Sequence, residues 1–363
     1  MEYMNRALKL ARHALGTTSP NPAVGAVLVN NDTVVGEGFT QPYGGPHAEV
    51  EAIRQAGNKA KNSTIYVTLE PHCFQGITPS CTSAIINAKV DEVHIAALDP
   101  NPKVNGLGKK ELENAGLKVI FEENKEALEI TEGFAKHIRT NMPFVTVKFA
   151  MSLDGKISTQ SGDSKWITGE SSRAMAHELR RISDAVMVGS NTVLRDCPSL
   201  TARNEKGIPR DKQPLKIVVD THGKLPANSS IFKGPGETLI ATTNMSRSKV
   251  DKLTNQGITV INIPQDETGV SLKKLLEFLG SAGIVNLLVE GGGTLIGSFF
   301  DKGLVDKIHA FLAPIIIGGR DALSPVEGMG AKRISQSLNL SHLSVERIGS
   351  DLMLKAYPRR RSG

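Results

Sequence analysis

The sequence predicts an α/β protein of two domains, and three observations carry that expectation. A chain of 363 residues is long enough for two independent cores. In both halves short apolar, β-branched runs alternate with amphipathic stretches, as in sheets covered by helices. Asn141-Met142-Pro143 interrupts the pattern, which then restarts. The expected domains are residues 1–141 and 144–363, the second a doubly wound sheet.

The first half reads as follows. Met4 to Leu15 places Leu8, Ala11 and Leu15 on one face of a helix. Pro20-Asn21-Pro22 breaks the chain. Val24–Val29 and Thr33–Gly38 form a hairpin across Asn30-Asn31-Asp32. A helix opens at His47 and runs through Ile53. Ile65–Leu69 is a buried strand ended by Glu70-Pro71. Cys81–Ala88 is a helix, Val93–Leu98 a strand, and Asp99-Pro100-Asn101-Pro102 a loop. Lys109–Ala115 and Lys125–Ile138 are helices.

In the second half, Phe144–Met151 is a strand followed by the turn Ser152 to Lys156. Helices are expected at Ser171–Ser183, Met245–Thr254, Ser271–Leu279 and Leu295–Phe300. Strands are expected at Ala185–Val188, Leu215–Val219, Thr238–Thr242, Thr259–Ile263 and Val285–Val289. Strand character returns from Lys307 to Leu312 and beyond.

Composition narrows the class. No apolar run approaches the ~18 residues of a membrane span. Three cysteines, at 73, 81 and 197, argue against a disulfide framework and for a reducing, cytoplasmic setting. A net charge of +6 mildly favours anionic partners. The cations are dispersed apart from Arg359-Arg360-Arg361, so a phosphorylated small molecule fits better than a nucleic acid.

Two motifs carry chemistry. His47-Ala48-Glu49 sets an imidazole two residues before a carboxylate, and Pro71-His72-Cys73 leads on to Thr78-Pro79-Ser80-Cys81. One His and two further His/Cys side chains give Zn²⁺ three ligands and leave a fourth position for water. Zinc brings the pKa of such a water to about 7. A carboxylate that is not a ligand, Glu49, can then shuttle the proton. His-x-Glu with later Pro-Cys-type ligands marks zinc deaminases of cytosine- or adenine-like rings. The competing reading makes His47 a helix cap and the cysteines small core residues. The second motif is Glu290-Gly291-Gly292-Gly293-Thr294 between a strand and a helix. Its backbone N–H groups can meet an anion, although it is not Gly-x-Gly-x-x-Gly. Gly318-Gly319 offers a weaker second nest, and Arg180 and Arg203 could fork onto a phosphate.

These residues match a family. Ser19-Pro-Asn-Pro-x-Val-Gly25, His47-Ala-Glu49, Tyr66-Val-Thr-Leu-Glu-Pro71, Gly76-x-Thr-Pro-x-Cys81 and Asp99-Pro-Asn-Pro102 resemble the deaminase half of the bifunctional riboflavin-biosynthesis deaminase–reductases. Lys148 to Lys156, Ser164-Lys-Trp-Ile-Thr168, Gly189-x-x-Thr192, Asp196-x-Pro-Ser-Leu200, Arg203 and Glu290-Gly-Gly-Gly293 resemble the reductase half. The resemblance implies a cytidine-deaminase-like α/β/α sandwich followed by a dihydrofolate-reductase-like sheet. It implies zinc on His47 and Cys81, Glu49 as proton donor, and Asn21 and Asp99 facing a pyrimidine. It implies NADPH on Ala150, Trp166, Thr168, Thr192, Asp196, Thr221 and the turn Gly291, Gly292, Gly293, Thr294, Leu295, Ile296 and Gly297. It implies substrate contacts at Ser164, Arg180, Leu200, Arg203 and Glu290.

The implied function is deamination of 2,5-diamino-6-(5-phosphoribosylamino)pyrimidin-4-one. NADPH reduction to 5-amino-6-(5-phosphoribitylamino)uracil follows, in a homo-oligomer. Where the family has Pro-Cys, this chain has Pro71-His72-Cys73. Register selects His72 as the third ligand, and Cys73 is the alternative. Phe74 and Ile77 stand where the family has a polar and a basic residue. Those departures leave open an active reductase whose deaminase half is structural only. A nucleic-acid deaminase with an accessory domain is the other alternative; aromatics at 4% argue against it.

Overall fold

The computed structural model describes residues 2–76 and 79–359. Ile77, Thr78 and the Arg360-Arg361 part of the basic tail lie outside them. The chain forms two compact units. The first runs to Pro143 and includes Gly283–Val285; the second comprises Phe144–Ala282 and the residues from Asn286 onward.

The first unit is a five-stranded sheet. Its elements are α1 (Glu2–Ala14), β1 (Gly25–Asn30), β2 (Thr33–Phe39), α2 (Ala48–Ala56), β3 (Thr64–Val67), α3 (Cys81–Asn87), β4 (Glu92–Ile95), α4 (Leu107–Asn114), β5 (Lys118–Phe121) and α5 (Lys125–Thr140). Strand order is β2-β1-β3-β4-β5; β1 is antiparallel to both neighbours, and β3, β4 and β5 are parallel. Alternation along β1 assigns its faces. Val27 and Val29 pack with Ala7 of α1, while Ala26 and Leu28 join Ala48, Ala52 and Ala56 of α2. Two glycines let helices approach closely. A Cβ on Gly25 would lie 2.0 Å from the Ala7 carbonyl oxygen, and one on Gly38 2.2 Å from that of Ala48. The second contact draws the start of α2, and with it His47 and Glu49, down onto the sheet.

The second unit begins with β6 (Phe144–Ser152), α6 (Glu170–Arg181), β7 (Ala185–Gly189), α7 (Ser190–Asp196), β8 (Leu215–Val219), β9 (Thr238–Thr242), α8 (Arg247–Thr254) and β10 (Thr259–Asn262). It continues with the two-residue strands β11 (Gln265–Asp266) and β12 (Gly269–Val270), then α9 (Leu272–Ser281), β13 (Asn286–Glu290), α10 (Gly293–Asp301), β14 (Lys307–Ala313), β15 (Leu340–Ile348) and β16 (Asp351–Pro358). Its nine-stranded sheet has the order β10-β9-β8-β7-β13-β6-β14-β16-β15. All neighbours pair in parallel except β14–β16 and β16–β15. Val186, Val188, Val218, Leu288 and Phe311 of the central strands are buried together, the composition expected of strands covered on both faces. Order reverses beside β13, where parallel sheets open a ligand crevice at their carboxyl ends. Among the described residues, no helix is long and apolar enough to cross a membrane.

Candidate functional site

In the first unit, three elements converge. His47 occupies the N-cap position of α2, yet its side chain makes no capping bond. It turns instead toward Cys81, with Nδ1 3.5 Å from Sγ. Cys81 opens α3, capped by Ser80, whose Oγ accepts from the Ser83 N–H at 3.1 Å. His72 comes from the turn after β3, its ring 4.7 Å from that of His47. One potential ligand atom from each of His47, His72 and Cys81 lies within 4.8 Å of the others. The Cys73 sulfur points elsewhere, 3.8 Å from the Lys103 carbonyl oxygen.

The donor chemistry suits a soft-to-borderline divalent cation. Burial, together with the neighbouring His47, lowers the His72 pKa to about 4, so the ring is neutral and offers a lone pair. Burial, together with the neighbouring Glu49, pushes the Cys81 thiol up, so a thiolate there calls for a cation to stabilise it. Glu49 is 3% exposed, and burial raises its pKa despite the opposing pull of His47. A cavity of about 380 Å³ is lined by Asn21, His47, Glu49, His72, Phe74 and Asp99, among others. Burial likewise pushes the Asp99 carboxyl up to about 6, against the Asn101 N–H that it accepts at 2.8 Å.

The second unit gathers its chemistry at the carboxyl ends of β6, β7, β8 and β13. Glu290 ends β13 and pairs in register with Lys148 of β6. Both Glu290 oxygens meet Arg180, at 2.6 Å from Nε and 2.9 Å from Nη2. Lys148 Nζ lies 4.0 Å away. Burial pushes the Glu290 carboxyl up, but Arg180 and Lys148 outweigh it and hold the pKa at about 2. Burial lowers Lys148 in turn, against Glu290.

Gly291 (φ 72°) and Gly292 (φ 81°) then turn the chain into α10 without a side-chain cap. A Cβ on Gly292 would lie 2.8 Å from Thr192 Oγ1. That helix start has no side-chain cap, and Thr192 and Glu327 border its first turn; its backbone N–H groups can meet a dinucleotide phosphate.

Other expected residues take definite places. Ser164 Oγ donates to Asp196 at 2.9 Å. Trp166 is 70% exposed, so it is no core residue, and the Arg173 guanidinium lies 4.8 Å over its ring. The Thr168 carbonyl accepts from Arg173, and that of Thr221 from the N–H groups of Thr243 and Asn244. Ala150 is half-buried on β6 and Leu200 is buried. Of the glycine-turn stretch, Thr294 is exposed and donates to Glu327. Leu295, Ile296 and Gly297 are buried, the last against the Glu327 carbonyl.

Two expectations need correction. Arg180 and Arg203 do not present open forks. Arg180 is taken up by buried Glu290, whose charge it neutralises together with Lys148. Arg203 divides its donors among Thr201 Oγ1, Gly207 O and Ser199 Oγ. The Gly318-Gly319 nest is filled from within, because Asp154 accepts the Ile317 and Gly318 N–H groups at 3.0 and 2.8 Å. Lys148 was missed as a site residue. It opens a stretch that resembles the reductase half but sits inside an apolar strand pattern, and its register opposite Glu290 is what gives it a place in the site.

A hydrolytic metal site has no use for the second sheet, and a reductase has none for the first. Both together define a fused enzyme: a zinc deaminase joined to a dinucleotide-dependent reductase. Residues 1–97 match the family model described as the cytidine and deoxycytidylate deaminase zinc-binding region, and residues 143–354 match the RibD C-terminal domain. The chain is 42% identical over 355 residues to the riboflavin biosynthesis protein RibD of Aquifex aeolicus, covering 97% of this chain and 96% of that one. It is 37% identical over 362 residues to that of Escherichia coli, covering 97% of each. Among solved structures, RibD of Acinetobacter baumannii superposes with a TM-score of 0.87 at 36% identity, covering 99% and 98% of the two chains. The diaminohydroxyphosphoribosylaminopyrimidine deaminase/5-amino-6-(5-phosphoribosylamino)uracil reductase of Thermotoga maritima gives 0.85 at 32%, with the same coverage. The chain belongs to the RibD family of bifunctional riboflavin-biosynthesis enzymes. Its activities are a deaminase and a reductase, and its cofactors are Zn²⁺ and NADPH.

Proposed function

We propose that the first unit deaminates 2,5-diamino-6-(5-phosphoribosylamino)pyrimidin-4-one and that the second reduces the product to 5-amino-6-(5-phosphoribitylamino)uracil. The observation that carries the first step is the His47, His72 and Cys81 triad beside buried Glu49 in one cavity with Asn21 and Asp99. His47, His72 and Cys81 hold the zinc, which when bound supplies Lewis acidity toward water at neutral pH. Asn21 and Asp99 orient the ring. Glu49, raised by burial, takes a proton as water adds to the amino-bearing carbon and returns it to the departing ammonia. Phe74 supplies an apolar wall to the pocket. A complete triad with its carboxylate favours a working deaminase over a merely structural zinc.

In the second unit NADPH supplies hydride to C1 of the ribosyl group. The Gly291-Gly292 turn and Thr192 would hold its phosphates, with Trp166, Thr168, Asp196 and Thr221 as further contacts. Glu290, fixed by Arg180, holds the sugar with Ser164, Leu200 and Arg203. Lys148, its pKa lowered by burial, is placed to give the ring oxygen a proton as the sugar opens. The enzyme works in the cytoplasm as a homo-oligomer, a second copy meeting the exposed edge strand β15.

The test is metal content. His72→Ala should lose zinc and ammonia release together, while Cys73→Ser keeps both. The reverse pattern would refute the triad.

A further inference from the structure

The cavity has one carboxylate that neither step uses. Glu70 is 3% exposed, lies between β3 and the turn that carries His72, and lines the same cavity. It forms no ion pair among the described residues; three backbone N–H groups satisfy it. Oε2 accepts from Asp99 at 3.2 Å and from Gly106 at 2.9 Å, and Oε1 accepts from Lys109 at 2.9 Å. All three donors belong to residues 99–109, the segment that carries Asp99 and Asn101 and then becomes α4. The fit is tight on the other side too. A Cβ on Gly108 would lie 2.1 Å from the Pro71 carbonyl oxygen, so α4 rests directly on the residue before His72.

We infer that Glu70 is a positioning residue of the deaminase. Its carboxylate ties the ring-recognition segment Asp99–Asn101 to the turn that presents His72, fixing the distance between the groups that grip the ring and the metal ligands. The inference rests on the proposed roles of Asp99 and the triad. A carboxylate suits the task because two oxygens can accept three N–H groups at once, and the start of α4 offers it two of them, from the N-cap Gly106 and from Lys109. A glutamine of the same shape cannot do it. Its amide nitrogen would face a backbone donor, which leaves at least one buried N–H unpaired.

Glu70→Gln tests this. Loosening the segment by one charge-assisted bond should raise the deaminase KM by about tenfold. It should leave kcat within about threefold and zinc at the wild-type ratio. Amide exchange at Gly106 and Lys109 should quicken by about tenfold or more. NADPH oxidation with the already deaminated substrate should not change, which shows that the second unit is folded, while the retained zinc shows that the first unit is. Glu70→Asp keeps both acceptors on a shorter arm and should recover part of the KM; it also serves as the test variant if the glutamine form does not accumulate. Unchanged KM and exchange would overturn the inference, and so would a loss of zinc or a fall in kcat at constant KM. Absence of ammonia release from the wild-type enzyme would instead overturn the proposed function.

Discussion

Glu290 shows how a single buried charge is held and what it contributes. Its carboxyl is more acidic in the folded chain, at about 2 against an ordinary 4.5, because Arg180 and Lys148 outweigh the cost of burial. Such a group lends stability that is fully present above pH ~4.5 and is lost as the pH falls toward ~2. Between pH 6 and pH 3 the second unit should lose about 2 kcal/mol on this account. Trp166, the only tryptophan in the chain, lies in that unit and reports its unfolding by urea. Glu290→Gln should show a correspondingly shallower acid loss; parallel curves would contradict the coupling. Residue identity made part of the first site legible. His47, Glu49 and Cys81 stand out by spacing alone, and register favoured His72 over Cys73. Glu70 was not legible, because Glu-Pro reads as the end of a strand and its three N–H partners lie 29 to 39 residues away.

Elements were legible where burial imposes a pattern. β8 and β9 were expected at their observed bounds, since both are nearly continuous apolar or β-branched runs in the middle of a parallel sheet. β5 was not anticipated: it is a four-residue edge strand without a fully buried residue. The register and edge position of β15 were equally hidden, because it is exposed along most of its length and alternation has nothing to act on. That exposure has a consequence. Leu340, Leu343 and Val345 are 48–61% exposed on the outermost strand of the nine-stranded sheet, an edge that natural proteins cover or charge. In the proposed homo-oligomer a second copy adding there would bury them. Light scattering should therefore give a multiple of the chain mass for the wild type and the single-chain mass for Leu343→Glu with Val345→Glu. A monomeric wild type would rule out this edge as the contact.

At the scale of the whole molecule, each unit carries its own core, its own sheet and its own site. The restart after Asn141-Met142-Pro143 announced two sheets, but only the folded chain shows how strands distant in sequence, β6 and β13, set Lys148 opposite Glu290. Two chemically separate sites imply that one reaction can be removed without the other. The most direct measurement uses a single preparation, assayed before and after chelation for bound zinc, for ammonia release, and for NADPH oxidation with the deaminated substrate. One zinc per chain, with ammonia release lost on chelation, regained on adding zinc back and NADPH oxidation unaffected, is the expected result. Ammonia release that persists after the metal is gone would contradict the metal-dependent deaminase at the centre of this reading.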